Sequence, residues 1–402
     1  MPPADRPARF DALAALTAVR PQWVAIQTAA QALGLQKHQL LHAGPPLRDA
    51  RQPPAVLRSS IVVTCLHEGW AGTEAEAEAL LRDGVLQLQP AQPLGCVTPL
   101  AAIVAPGTPL VQVVDGAASM SQGGRSIHAP VSTVRGPDTR MGMRDAGLPA
   151  RLAHRDQVVA PLLQRHLDQH GPIDLWALGC AGLAAGDDLH SRTAGANAAL
   201  VQALRAPADP ARAPLADDIA GNPLFFLTLW MSACALVLRA AEGGDRPGLV
   251  TRAGGNGEVF GITLAGRPDH WTTTPDVALR GALLPGKADA ARAGAIGDSA
   301  VIDLLGLGGQ RLAWSPEPLS VFGPLLPAGE PEAVQALLVR PHPGLPQAWP
   351  VGIDAAQVLA QARPPLVVLA MLAQDGLGGL VGRGVYQPPL GLFVQALQAV
   401  DQ

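Results

Sequence analysis

Apolar and polar positions along the chain predict a succession of short elements. Residues 11–34 are rich in alanine and predict a helix. The β-branched run 61–65 predicts a short strand. Residues 73–83 predict a helix: Thr73 can cap it, and Glu76, three residues on, completes a capping box. Leu80, Leu81 and the neighbouring alanines supply its apolar face. Residues 85–88 and 111–114 predict strands. Residues 116–147 are polar and rich in Gly and Arg, and predict a long surface excursion at a domain boundary. Helical patterns follow at 151–170, 195–204 and 223–241. The last is apolar on every side, and Asn222-Pro223 reads as its N-cap and first turn. Residues 206–214 read as a linker. The final third turns strand-like at 248–250 and 260–264, around Asn256-Gly257, a strong turn signal.

These elements predict a mixed α/β and α+β protein with a mainly helical middle. The expected segments are an N-terminal helical piece (1–40), an α/β part (41–147), a helical part (148–246) and an α+β part (247–402). The chain has 402 residues, enough for two or three domains. No repeat of solenoid or propeller period is present.

Composition narrows the class. Lys+Arg is 29 against Asp+Glu 33, a net charge of -4, and the lysines are Lys37 and Lys287. That balance speaks against a nucleic-acid partner held by its phosphates. Apolar residues make up 48% and charged ones 15%, which excludes disorder. Residues 219–238 carry no charge and match a membrane span in length. The Asn-Pro start, the Gly243-Gly244 stop and the lack of flanking basic clusters favour a buried helix instead, so no membrane is expected. Cys65, Cys96, Cys180 and Cys234 are far apart without a CxxC pair, which excludes a zinc ribbon and a disulfide scaffold. With no apolar leader in the first residues, the expected setting is cytoplasmic.

Asp187, Asp188, His190 and Arg192 form the densest polar cluster. Such a group can position a small anion and move a proton. The aspartates can equally cap the next helix, with Arg192 paired to one of them. His67-Glu68 reads as a base with its orienter or as an ordinary loop. His42 sits in His-Ala-Gly-Pro-Pro, a loop stiffened by proline. Asp298 and Ser299 follow a glycine and can contact an amide or anion. Gly308, in Gly306-Leu307-Gly308-Gly309, can let backbone N–H groups approach a ligand. Asn256 can bond an amide or serve only the turn. No P-loop, GxSxG elbow or HExxH motif occurs.

In order along the chain, several short motifs resemble one family. They are His42-Ala43-Gly44-Pro45-Pro46, Glu68-Gly69-Trp70-Ala71, Gly186-Asp187-Asp188 with His190 and Arg192, and Asn222 with Phe225-Phe226-Leu227 and Met231. Val250-Thr251, Asn256-Gly257, Phe260-Gly261-Ile262, Gly297-Asp298-Ser299-Ala300, Gly306-Leu307-Gly308-Gly309 and Gly352-Ile353-Asp354 continue the series. Together they span about residues 41–390 and resemble the YlbE/YahG-like family, which includes the AllG-type subunit of oxamate carbamoyltransferase. The family usually has Asn on both sides of Arg192, Glu at Asp188, and Arg where this chain has Gly255. The resemblance marks a divergent branch.

The resemblance implies carbamoyl transfer between carbamoyl phosphate and oxamate, alongside other subunits. Both substrates are small anions, so placed arginines and N–H donors are needed, and no cofactor or metal is. The resemblance makes His190 the first candidate for the base at the amide nitrogen, and His42 the second. Arg192 would hold a carboxylate or phosphate, with Asp187 and Asp188 as orienters. Asn222, Asn256, Asp298 and Ser299 would bind substrate edges, and Arg252 would stand in for the arginine missing at 255. A homodimer is expected. Two other readings stay open: a non-catalytic scaffolding subunit, and a metal-dependent amidohydrolase using His190, Asp187, Asp188, Glu68 and His42.

Overall fold

Residues 11–34 do not form the single helix expected of them. In the computed structural model, which describes residues 10–117, 125–206 and 213–402, helix Ala12–Ala18 gives way to strand Pro21–Thr28 and then to helix Ala29–Leu33. Pro21 cannot continue a helix, and Trp23, fully buried, anchors the strand that follows. Thr28 and Gln31 then start the next helix with a capping box. Alanine content hid a strand whose place is set by pairing with Pro109–Asp115.

The run 61–65 is helical, not extended. It lies inside helix Ala55–His67, nine of whose thirteen residues are buried. A helix covered on nearly every side has no polar stripe, so its period cannot be read. Ser60 and Thr64 return their hydroxyls to the carbonyls of Val56 and Ser60, which satisfies them within the helix. The capping box of Thr73 and Glu76 forms as expected on helix Glu74–Arg82.

Part of 116–147, namely 118–124, lies outside the described residues. Much of the rest, 127–134 and 138–140, is buried rather than a surface excursion. Strand Ser126–Pro130 ends an antiparallel sheet ordered 126–130, 109–115, 21–28, 173–174. Beyond it Asp138, Thr139 and Arg140 are buried. The polarity there serves internal bonding: Asp138 accepts from the backbone N–H groups of Thr133 and Thr139.

The middle of the chain is helical. Leu148–His154 runs through a π turn into Ala160–His170, and Leu175–Ala184, Ala194–Arg205 and Ala213–Ala220 follow. Most of the expected linker, 207–212, lies outside the described residues. Helix Phe226–Arg239 has twelve of fourteen residues buried. It starts three residues later than expected, because Asn222 does not cap it; the Asn222 side chain donates to the carbonyl of Thr133 instead. Among the described residues no helix is long and apolar enough to cross a membrane.

The last third is α+β. One antiparallel sheet is ordered 296–297, 250–256, 260–264, 267–274, and a second 280–283, 380–386, 367–372. Asn256-Gly257 makes the hairpin turn between Val250–Asn256 and Phe260–Leu264. Short helix Ala300–Leu305 is wedged between the buried helix Phe226–Arg239, strand Val250–Asn256 and strand Val367–Leu372. The helical middle and the last third of the chain meet at this wedge.

Candidate functional site

The loop after helix Leu175–Ala184 is built by its own aspartates. Asp188 accepts from the backbone N–H groups of His190 (3.1 Å), Arg192 (2.8 Å) and Ser191 (3.2 Å), and from the Ser191 hydroxyl (2.7 Å). Asp187 takes the N–H of Ala196 at 2.9 Å on one oxygen and Arg192 Nη1 at 3.0 Å on the other. It thereby caps helix Ala194–Arg205. Burial raises the Asp187 pKa in spite of those N–H donors and Arg192. Leu189, directly after the two aspartates, sits at φ 66, a left-handed conformation that costs an ordinary residue energy. The bond network holds it there and turns the next side chain, His190, inward.

His190 Nδ1 lies 2.7 Å from Asp303 Oδ2. Asp303 is fully buried, and its second oxygen accepts from the N–H of Gly309 at 2.8 Å and of Val368 at 3.3 Å. Burial works against a charge on His190, but the charge and hydrogen bond of Asp303, aided by Asp188, outweigh it and raise its pKa. Gly308 makes this pair possible. At φ 52 it donates to the carbonyl of Asp188, and a Cβ there would lie 2.4 Å from Asp303 Oδ1 and 2.9 Å from His190 Cβ. The glycine-rich motif thus lends its N–H groups to the acidic partners of His190. Sequence reasoning missed Asp303; the signal it offered was a lone carboxylate inside the apolar run Ala300-Val301-Ile302-Asp303-Leu304-Leu305.

His190 lines a cavity of about 140 Å³, together with Ser191, Ser299, Arg140 and Arg383. Leu224, Leu227, Phe322, Val368 and Leu369 make much of its apolar wall. Arg383 is engaged by Glu317 at 2.6 Å and lies over the Phe322 ring. Arg140 is buried, which lowers its pKa against the pull of nearby Asp138. Sequence reasoning missed both arginines, one in the supposed excursion and the other in a strand.

The remaining candidates do not line this cavity. Asp298 accepts from the N–H groups of Gly44 and Thr98, both at 2.8 Å, from Gln92 Nε2 at 2.7 Å and from the Thr98 hydroxyl. Burial nevertheless pushes its pKa up to about 6. Asn256 accepts from the N–H groups of Glu258 and Val259 and donates to the carbonyls of Pro45 and Pro46. The two residues clamp the 42–46 loop, where a Cβ on Gly44 would lie 2.4 Å from Gly255. A Cβ on Gly255 would lie 2.2 Å from the Ala295 carbonyl, so no side chain fits at 255 in this structure. His42 is buried, with Nδ1 2.8 Å from the Ala43 carbonyl, and burial lowers its pKa to about 4.

Glu68 follows helix Ala55–His67 and accepts from the N–H of Gly107, and burial raises its pKa. Its neighbour His67 pairs with Asp156 at 2.6 Å. Arg252 is held by Glu242 at 3.1 Å. The structure therefore brings His190 and Ser299 to the cavity and Gly308 against its histidine, while Asp187, Asp188 and Arg192 shape the loop. His42, Glu68, Asn222, Arg252, Asn256 and Asp298 lie elsewhere. Among the described residues no group of three or more His, Cys, Asp or Glu side chains is placed to hold a metal ion.

The family model described as oxamate carbamoyltransferase subunit AllG matches residues 86–299, just over half of the chain. The oxamate carbamoyltransferase subunit AllG of Escherichia coli K12 is 28% identical over 405 residues, which cover 95% of this chain and 94% of that one. The uncharacterized protein YahG of the same strain is 25% identical, over 90% of this chain and 79% of its own. A crystal structure of a conserved protein of unknown function from Enterococcus faecalis V583 superposes with a TM-score of 0.87. It is 23% identical and covers 97% of this chain and 96% of its own, a likeness of fold.

Proposed function

This chain belongs to the family of the oxamate carbamoyltransferase subunit AllG, and from that premise we propose that it is a subunit of a carbamoyltransferase acting on small anionic amides. The relative's name gives oxamate as the acceptor and a subunit as the role. For this chain the reading is that carbamoyl phosphate and oxamate yield oxalurate and phosphate, in assembly with companion subunits.

The observation that carries the reading is the His190–Asp303 pair in the cavity wall. With Nδ1 taken by Asp303, Nε2 is the ring nitrogen left for a ligand. Neutral His190 accepts a proton from the amide nitrogen of the acceptor as that nitrogen bonds to the carbamoyl carbon. The bond from that carbon to the phosphate oxygen breaks, and the phosphate leaves with the electron pair. Asp303 fixes the tautomer and steadies the imidazolium. The proton then passes to the departing phosphate, which restores the base. Ser299, also in the wall, would bond the amide or carbonyl edge.

The test is carbamoyl phosphate consumption with oxamate, with and without the companion subunits. Turnover is expected in the assembled complex, and His190→Gln should lower it by about 10²–10⁴-fold. No turnover in any combination would remove the reading. Turnover that His190→Gln leaves unchanged would assign the chain a scaffolding role.

A further inference from the structure

The two arginines of the cavity differ in one respect. Arg383 has a carboxylate partner, Glu317, and an aromatic ring beneath it. Arg140 is 5% exposed, and its Nε and Nη1 have no hydrogen-bond partner. The nearest acid, Asp138, does not supply one: its oxygens take the N–H groups of Thr133 and Thr139 and the Thr139 hydroxyl. Nor is the arginine loosely placed. It rides on the 3₁₀ turn Thr139–Met141, closed by Gly142, and its own carbonyl accepts from Ala101.

A buried guanidinium whose N–H donors lack acceptors is disfavoured, even with an acid as near as Asp138. Arg311 shares that state but lies over the Trp349 ring, whereas Arg140 lines a cavity from which a ligand can supply the acceptors. The polar part of the cavity it faces is basic, set in a largely apolar wall. Its wall holds Arg140, Arg383, His190 and two serines, and no Asp or Glu. A volume of about 140 Å³ suits a molecule of a few heavy atoms, not a nucleotide.

We infer that Arg140 is the anchor for the oxyanion group of the ligand, a phosphate or a carboxylate, and that it sets the ligand's reacting end toward His190. A guanidinium offers two parallel N–H donors to such a group, a geometry that an ammonium cannot reproduce. The inference rests on the reading of the cavity as a substrate site, though not on the reaction being carbamoyl transfer.

Calorimetric titration of the purified chain with inorganic phosphate, and separately with oxamate, tests it. Arg140→Gln should weaken the binding of at least one of them by about tenfold or more, the scale of hydrogen bonds to a charged group. Arg140→Lys should recover only part of the loss. Loss of phosphate alone assigns the phosphoryl end to Arg140, and loss of oxamate alone assigns the carboxylate. Unchanged binding of both, or no binding of either to the wild-type chain, overturns the inference. Should Arg140→Gln not fold, wild-type crystals grown with each anion decide. The anion within hydrogen-bond distance of Arg140 supports it, and the anion bound elsewhere overturns it. Arg140-dependent binding without carbamoyl transfer would keep this assignment and remove the proposed function. Transfer with Arg140-independent binding would do the reverse.

Discussion

Asp298 and Asp303 stand five residues apart on one short stretch of chain, and both are fully buried. Their surroundings differ in a single way. Every hydrogen bond of Asp298 comes from groups that hold the fold: Gly44, Gln92 and Thr98, drawn from segments far apart in the chain. Asp303 spends one oxygen on Gly309 and Val368, but gives the other to His190, which faces the cavity. Buried carboxylates of equal exposure therefore divide by where their partners lead. One closes a knot of backbone, and the other ends at an imidazole a ligand can reach.

The sharpest way to break the comparison is Asp303→Asn. If the pair is catalytic, turnover of the assembled complex should fall by about 10²–10⁴-fold, because an amide neither holds the imidazolium nor enforces the tautomer. The pH profile carries a second readout. Asp303 raises the His190 pKa above 6.5, so the neutral base prevails only above that raised value and activity climbs with pH through it. The variant loses that attraction, and its acid limb should move to lower pH. Stability follows the same sign. The ion pair contributes fully below the ordinary imidazole pKa of 6.5, and its contribution is lost as pH rises through the folded value. A variant with wild-type turnover and an unmoved acid limb would make Asp303 as structural as its neighbour.

Asp298→Ala is the mirror experiment, expected to act on folding. It leaves two N–H groups, an amide and a hydroxyl without their acceptor in the interior, a cost of about 3–5 kcal/mol in urea denaturation. Activity per folded molecule should change little. Linkage adds a check. The Asp298 pKa rises from 3.8 to about 6 on folding, so the native state keeps a proton that the unfolded state has lost, and stability falls as pH rises through that window. The variant should lack that fall. Lost turnover with wild-type stability would place Asp298 in the chemistry and erase the contrast.

What was legible in the sequence followed the reach of each interaction. The Thr73–Glu76 capping box, the hairpin at Asn256-Gly257 and the cluster around His190 are local, and each forms where its residues stand. Helix Ala55–His67 was not legible, because burial on nearly all sides removes the polar stripe that marks a helix. Strand Pro21–Thr28 was hidden by its alanine-rich flanks and is fixed by a partner near residue 112. Asp303 and His190 are 113 residues apart, so neither announces the other. Arg140 sits in a polar stretch that looks solvated, yet its turn packs against helix Ala55–His67 and buries it. Local chemistry named the histidine, while tertiary packing supplied its acid and the neighbouring arginine.

Arg192→Ala probes the smallest difference, that between side chains that build the His190 loop and those that use it. Arg192 has the residue type suited to an anion, yet it does not line the cavity, and its guanidinium is a third exposed and paired with Asp187. An ion pair so open to water contributes about 0.5–1 kcal/mol at most. Asp187 keeps the Ala196 N–H without it, and Asp188 still gathers the backbone of residues 190–192. The variant should therefore melt close to wild type and turn over within about threefold of it, since the scaffold that aims His190 is intact. A tenfold or larger loss of turnover in a protein that melts normally would mean that Arg192 reaches the substrate. The boundary between loop and site would then lie one residue further along the chain, past Ser191.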